Sequence, residues 1–133
     1  MDERRGHVGL LVNRARAGAV ALETTLVVHG VPRASGRSLA LELDQIVREG
    51  GASAALVGVV SGRPTVGMTL DELDVMLAAA EAGSVPKVNA ANLGLAIHRG
   101  QHAATTVSAT MELASRAGVR VFATGGIGGV HRG

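Results

Sequence analysis

The chain closes on Phe122-Ala-Thr-Gly-Gly-Ile-Gly-Gly-Val-His-Arg-Gly133, and this stretch constrains the fold more than any other. A short apolar run over residues 119–123 reads as a buried strand, and it empties into four glycines within five positions. Glycines at that density let backbone N–H groups converge on an anion, because no Cβ blocks the approach or forbids positive φ. His131 and Arg132 add a titratable ring and a permanently charged planar fork. The reading is a phosphate or carboxylate cradle, with Thr124, Gly125, Gly126 and His131 as candidate residues, at the C-terminal end of a strand. Open α/β sheets bind their ligands there. The alternative is a flexible, glycine-rich tail, as chain ends often are. Ile127 and Val130, spaced among the glycines, speak against it.

The interior has to be built almost without rings, since 133 residues include one Phe and no Tyr or Trp. Val, Leu, Ile and Ala must fill the core, which suits a mostly parallel sheet covered by helices. The same shortage argues against a nucleic-acid surface, because there are no aromatic platforms for bases to stack on. A net charge of +2 comes with scattered arginines rather than a basic block, so a nucleic-acid partner is not expected. Without cysteine there is no disulfide framework and no thiolate chemistry. No stretch approaches the roughly 18 apolar residues of a membrane span. The apolar patch after the N-terminal charges is too short for a signal peptide. A soluble, cytoplasmic protein without a membrane partner is expected.

Residues 1–17 show no period and read as a loose lead-in, with one domain over residues 18–133. Residues 19–28 form an apolar, β-branched run that reads as a buried strand holding one acid, Glu23. Buried carboxylates are rare unless paired or functional, so Glu23 is a candidate; the plainer reading has it facing water at a strand end or edge. Leu39, Leu43, Ile46 and Val47 recur at helical spacing after Ser35, a plausible cap, and Gly50-Gly51 ends that helix. A second buried strand covers residues 54–60 and breaks at Ser61-Gly-Arg-Pro64. Thr69-Leu-Asp-Glu72 is a capping-box signature opening another helix.

Val85-Pro-Lys-Val-Asn89 is short and extended and carries the chain's single lysine. Lysine, unlike arginine, can lose its proton when desolvated, which makes Lys87 a candidate; a surface lysine is the alternative. A short helix follows over residues 92–98. Thr105-Thr106 then opens a helix, offering hydroxyls and free N–H groups to an anion, although ordinary capping explains the pair as well. The expected fold is α/β, a mostly parallel sheet with flanking helices in α/β/α layers.

Familiar motifs fail. Gly126-Ile-Gly128 leads to His131 where a dinucleotide fingerprint needs a third glycine, no Walker lysine is present, and Gly100 interrupts the His98/His102 pair. What remains is a constellation of Glu23, Lys87, Thr105-Thr106 and the terminal loop, each near the end of an element. A carboxyl group beside a desolvated amine suits general acid/base work on a phosphorylated small molecule.

Ala21-Leu-Glu-Thr-Thr25 with His29-Gly30, then Pro86-Lys-Val88, Ala104-Thr-Thr-Val107 and the terminal twelve residues together resemble the pseudouridine-5′-phosphate glycosidase family, which includes the indigoidine synthase A-like proteins. The likeness runs from about Val20 to the last residue, and the terminal match is its most specific part. The resemblance implies reversible cleavage of the C–C glycosidic bond of pseudouridine 5′-phosphate, giving uracil and ribose 5-phosphate. It also implies a divalent metal (typically manganese), a Schiff-base lysine, and assembly as a homotrimer. Carried over by position, Glu23 matches the proton donor, Lys87 a substrate-contacting lysine, and Val107 a backbone position lining the substrate. Thr124 and His131 fall in the active-site loop.

The chain also departs from that pattern. Family members are much longer, and their metal-binding Asp and Schiff-base Lys lie beyond residue 133, so no complete metal site is expected here. A Ser-Arg-Arg-Asp-like segment is replaced by Asn89-Ala-Ala-Asn92. Three readings follow: an incomplete glycosidase, an inactive fragment that still binds a phosphorylated ribose or nucleoside, and one half of a split enzyme whose partner chain carries the rest.

Overall fold

The computed structural model describes residues 10–125, and within them seven strands form one mixed sheet with helices on both faces. The strands are β1 (Val12–Asn13), β2 (Ala19–Glu23), β3 (Ser53–Val60), β4 (Arg63–Val66), β5 (Lys87–Val88), β6 (Ala103–Thr105) and β7 (Val121–Ala123). The helices are α1 (Thr24–Val28), α2 (Arg33–Glu49), α3 (Leu70–Glu81), α4 (Leu93–His98) and α5 (Val107–Arg116). The main path runs β1-β4-β3-β2-β7, with β6 bridging β3 and β5. Four pairings are parallel, and only β3 runs antiparallel, to β4 and to β6. The expected mostly parallel, three-layered α/β sheet is what forms.

Small and β-branched side chains let helices settle on both faces. One face packs Ala21, Val57, Val59 and Val66 under Leu93 of α4 and Leu113 of α5. The other buries Val27 and Val28 of α1 with Leu73 and Met76 of α3, and Leu39 and Leu43 of α2 close over them. Helix α2 comes nearest at Gly36, its one fully buried residue, where a Cβ would lie 2.5 Å from the Val27 carbonyl oxygen.

Four segments differ from the sequence expectation. Thr105, expected to open a helix with Thr106, instead ends β6, and the helix starts at Val107. The other three differ for local reasons. The run over residues 19–28 is two elements: the strand stops at Glu23 and the chain coils into α1. An unbroken apolar run cannot distinguish strand from buried helix. Here the buried positions Thr24, Val27 and Val28 fall at helical spacing, and tertiary packing decides. The expected break at residues 61–64 is a hairpin, with β4 returning along β3 through Ser61 (φ 48°) and Gly62 (φ 78°). Positive φ at both central residues is the turn whose twist matches paired strands. Pro64 obscured that strand, since proline donates no ladder hydrogen bond. Finally, Val12–Asn13, within the stretch read as a lead-in, pairs parallel to Thr65 and Val66.

The β3 edge determines where the ends of the other strands meet. β4 occupies one edge of β3 from Val57 onward, while β2 holds the opposite edge up to Val57. β6 takes over that same edge at Gly58, running the other way. The C-terminal ends of β2 and β6 therefore meet head-on beside Val57.

Candidate functional site

At this meeting point β2 ends on Glu23 and the ladder is continued by side chains. The Thr24 hydroxyl accepts the Thr105 amide at 2.8 Å. Thr105 in turn donates its hydroxyl to the Val57 carbonyl at 2.8 Å and lies 2.8 Å from the Thr110 hydroxyl. All three threonines are fully buried, and each hydroxyl has a partner, as a buried polar group requires. Helix α5 therefore leaves the sheet level with Glu23. Its N-cap residue, Thr106, donates its hydroxyl to Val88 O at 3.0 Å and leaves the first-turn amides of α5 without a side-chain cap. Val107, the first residue of α5, is half-buried beside it.

Glu23 is half-buried, and its carboxylate does not cap α1 although it occupies that helix's N-cap position. Instead Thr124 donates its hydroxyl to Glu23 Oε1 at 2.7 Å. Register explains the meeting. Ala21 pairs with Phe122 and Leu22 with Ala123, so the next step sets Glu23 abreast of Thr124. Phe122 packs on the α5 face with Ala21, and alternation puts Thr124 and Glu23 on that face two residues later.

Lys87 is not drawn into this group. It is exposed on β5, in register with Ala104, whose side chain belongs to the opposite core, while neighbouring Val88 faces α5. No hydrogen bond or ion pair between described residues joins Lys87 to Glu23. Lys87 stands near His29 instead. Burial is the main cause that pushes the His29 ring below the usual histidine range, with the Lys87 and Arg33 charges adding to it. A hydrogen bond between Nε2 and the Val85 carbonyl, at 3.0 Å, works the other way, and Nδ1 is buried without a partner.

Gly125 is exposed, its φ lies outside the left-handed region, and a Cβ there would meet nothing within 4 Å. Gly126 and His131 lie outside the described residues, and with them most of the proposed anion cradle. The Asn89-Ala-Ala-Asn92 departure closes on itself. Asn92 Oδ1 accepts the Asn89 amide at 2.7 Å, and Asn89 Oδ1 accepts the amides of Ala91 and Asn92 at 2.9 and 3.2 Å. A cavity of about 270 Å³ between α2, α3 and the sheet lies on the far side from Glu23, lined by Leu22, Leu43, Leu56 and Met68. Among the described residues no group of three or more His, Asp or Glu could hold a metal ion. Nor is any helix there long and apolar enough to cross a membrane.

Thr24 and Thr110 are the residues that the sequence reading missed. Thr24 stood next to Glu23 in a quoted motif, but its part depends on a bond to residue 105, which no local pattern announces.

The family model for indigoidine synthase A like protein matches residues 12–133. A pseudouridine-5′-phosphate glycosidase of Nocardioides is 48% identical over 120 residues, which is 90% of this chain and 38% of the relative. The enzyme of that name from Deinococcus radiodurans is 46% identical over 86% of this chain and 36% of its own length. An indigoidine synthase A-like protein of Thermotoga maritima superposes with a TM-score of 0.84 at 37% identity, over 95% of this chain and 42% of the other. The prealnumycin C-glycosynthase AlnA, solved with ribulose 5-phosphate, gives a TM-score of 0.70 at 37% identity, over 86% of this chain and 35% of its own. The chain thus spans about two-fifths of the proteins it matches. On the fold, the sheet ends and a family match across nearly all of its residues, the chain belongs to the indigoidine synthase A-like family.

Proposed function

We propose that this chain supplies the proton-donating and sugar-phosphate-holding part of a pseudouridine-5′-phosphate glycosidase, with Glu23 as the acid. The observation that carries this reading is the placement of the Glu23 carboxyl. It is held by Thr124 where β2 and β6 end, beside the uncapped start of α5. Uncapped amides at a helix N-terminus favour an anion, and a carboxyl beside them is in place to move a proton to or from a bound sugar phosphate. Relatives named for this activity, and a structural neighbour holding ribulose 5-phosphate, support the substrate class.

Cleavage through a Schiff base needs the covalent lysine that the family resemblance puts in the remaining sequence of the longer relatives, while Lys87, the only lysine here, matches a substrate-contacting position. Among the described residues no group of three or more His, Asp or Glu could hold manganese. The residues here bind, orient and exchange protons, while the covalent step belongs to sequence that the longer relatives carry. The family resemblance supports an active species that includes that remaining part, as a partner chain or a continuation, in a cytoplasmic homotrimer.

The test is release of uracil from pseudouridine 5′-phosphate. Purified chain alone is expected to release none. Co-expression with the remaining three-fifths of the Nocardioides relative is expected to restore release, and Glu23→Gln to abolish it. Release by the chain alone at an ordinary rate, or an unaffected Glu23→Gln complex, overturns the reading.

A further inference from the structure

We propose that Thr124 is the positioning residue of Glu23, locking its side chain and reserving Oε2 as the oxygen that carries the transferred proton. The inference rests on Glu23 being the acid, and it assigns Thr124 a role different from substrate contact. The bond is 2.7 Å long, an ordinary O–H···O distance, with Thr124 as the donor. A hydroxyl that donates to Oε1 leaves that oxygen unable to bear the acid proton while the bond lasts, so the proton sits on Oε2.

Both partners are set by the sheet. Glu23 is the last residue of β2, and Thr124 directly follows β7, one step beyond the pairing of Leu22 with Ala123. Threonine is branched at Cβ and stiff at χ1, so a fixed backbone fixes the direction of its hydroxyl. Glutamate is the opposite case, with several freely rotating bonds whose freedom is lost on ordering. The cap position offers it a competing arrangement, turned toward the amides of α1, and the structure shows that arrangement unused. Thr124 is what holds the carboxyl away from α1.

The experiment needs no turnover, so it can fail independently of the catalytic reading. Three-bond side-chain couplings of Glu23 are measured by NMR on isotope-labelled full chain, as wild type, Thr124→Val and Thr124→Ser, with amide exchange across β2 and β7 recorded in each. A single Glu23 rotamer is expected in wild type and in the serine variant. Couplings averaged over several rotamers are expected in the isosteric valine variant, with exchange in the strands unchanged. One rotamer in all three proteins overturns the proposal. So does averaging in the serine variant equal to that in valine, because the hydroxyl would then not be the cause.

Discussion

Thr24 Oγ1 accepts the backbone amide of Thr105 at 2.8 Å, so a side chain stands in for the sheet ladder where β2 runs out. Replacing Thr24 by valine keeps the shape and strands a buried N–H. An unsatisfied buried donor costs about 1–3 kcal/mol. Thr24→Val is expected to lose stability in that range in urea unfolding, and Thr24→Ser to lose distinctly less. A loss in Thr24→Ser as large as or larger than that in Thr24→Val would mean that the methyl group matters at least as much as the hydroxyl at this position.

Gly36 tests the close approach of α2. Alanine favours a helix interior over glycine by up to about 1 kcal/mol. Here, however, the new Cβ would sit 2.5 Å from Val27 O and 2.8 Å from a Leu77 methyl. A backbone oxygen cannot swing aside, and overpacking typically costs about 1–3 kcal/mol. The clash wins, so Gly36→Ala is expected to be destabilising, with a lower denaturation midpoint. An unchanged or raised midpoint would mean that the helix can shift.

Glu72 joins the segment before β2 to α3. Its Oε1 accepts from Arg14 Nη1 at 2.7 Å and from the Thr69 amide at 2.9 Å. Burial alone would raise its pKa, but the Arg14 guanidinium and the Thr69 bonds outweigh it, and the carboxyl is held below the usual glutamate value. A depressed acid stabilises the fold above its unfolded-state pKa, and the contribution is lost as pH falls through the folded value. The wild type is therefore expected to lose part of its stability as pH falls through and below the usual glutamate range, and Arg14→Ala to lose less there. Parallel pH curves for the two proteins would count against the pair. The pair is partly solvent-exposed, so the effect is expected to be modest.

His29 gives a second pH signature in a different window. Its lowered pKa means that folding favours the neutral ring, so its contribution is present above the unfolded value and lost as pH falls through the folded one. An NMR titration should place His29 below the ordinary histidine range, and Lys87→Ala should move it upward. No movement would put Lys87 away from this ring.

The architecture was legible in the sequence because helix and strand signals there were local. Thr69 and Glu72 form the capping box that their spacing announced, each accepting the other's amide. Residues 54–60 form most of the second buried strand. The site was legible only in parts. Glu23 stood out because an acid in an apolar run is costly, and it does end a strand. Its partner could not be read from either segment alone, since the bond to Thr124 spans 101 positions and depends on the β2–β7 register. Lys87 stood out for rarity, a property of composition. Alternation along β5 then carries it to the other face.

Because the ends of β2, β6 and β7 form the candidate site, it is indexed to pairing register and not to loop length. Insertions in the turns around it would leave Glu23, Thr105 and Thr124 in place. A slip of β6 by one residue would bring Ala104 to the position of Thr105 and remove the hydroxyl that anchors Val57 O. Drift within this lineage is therefore expected to lengthen and shorten the connections freely while the strand alignment stays fixed.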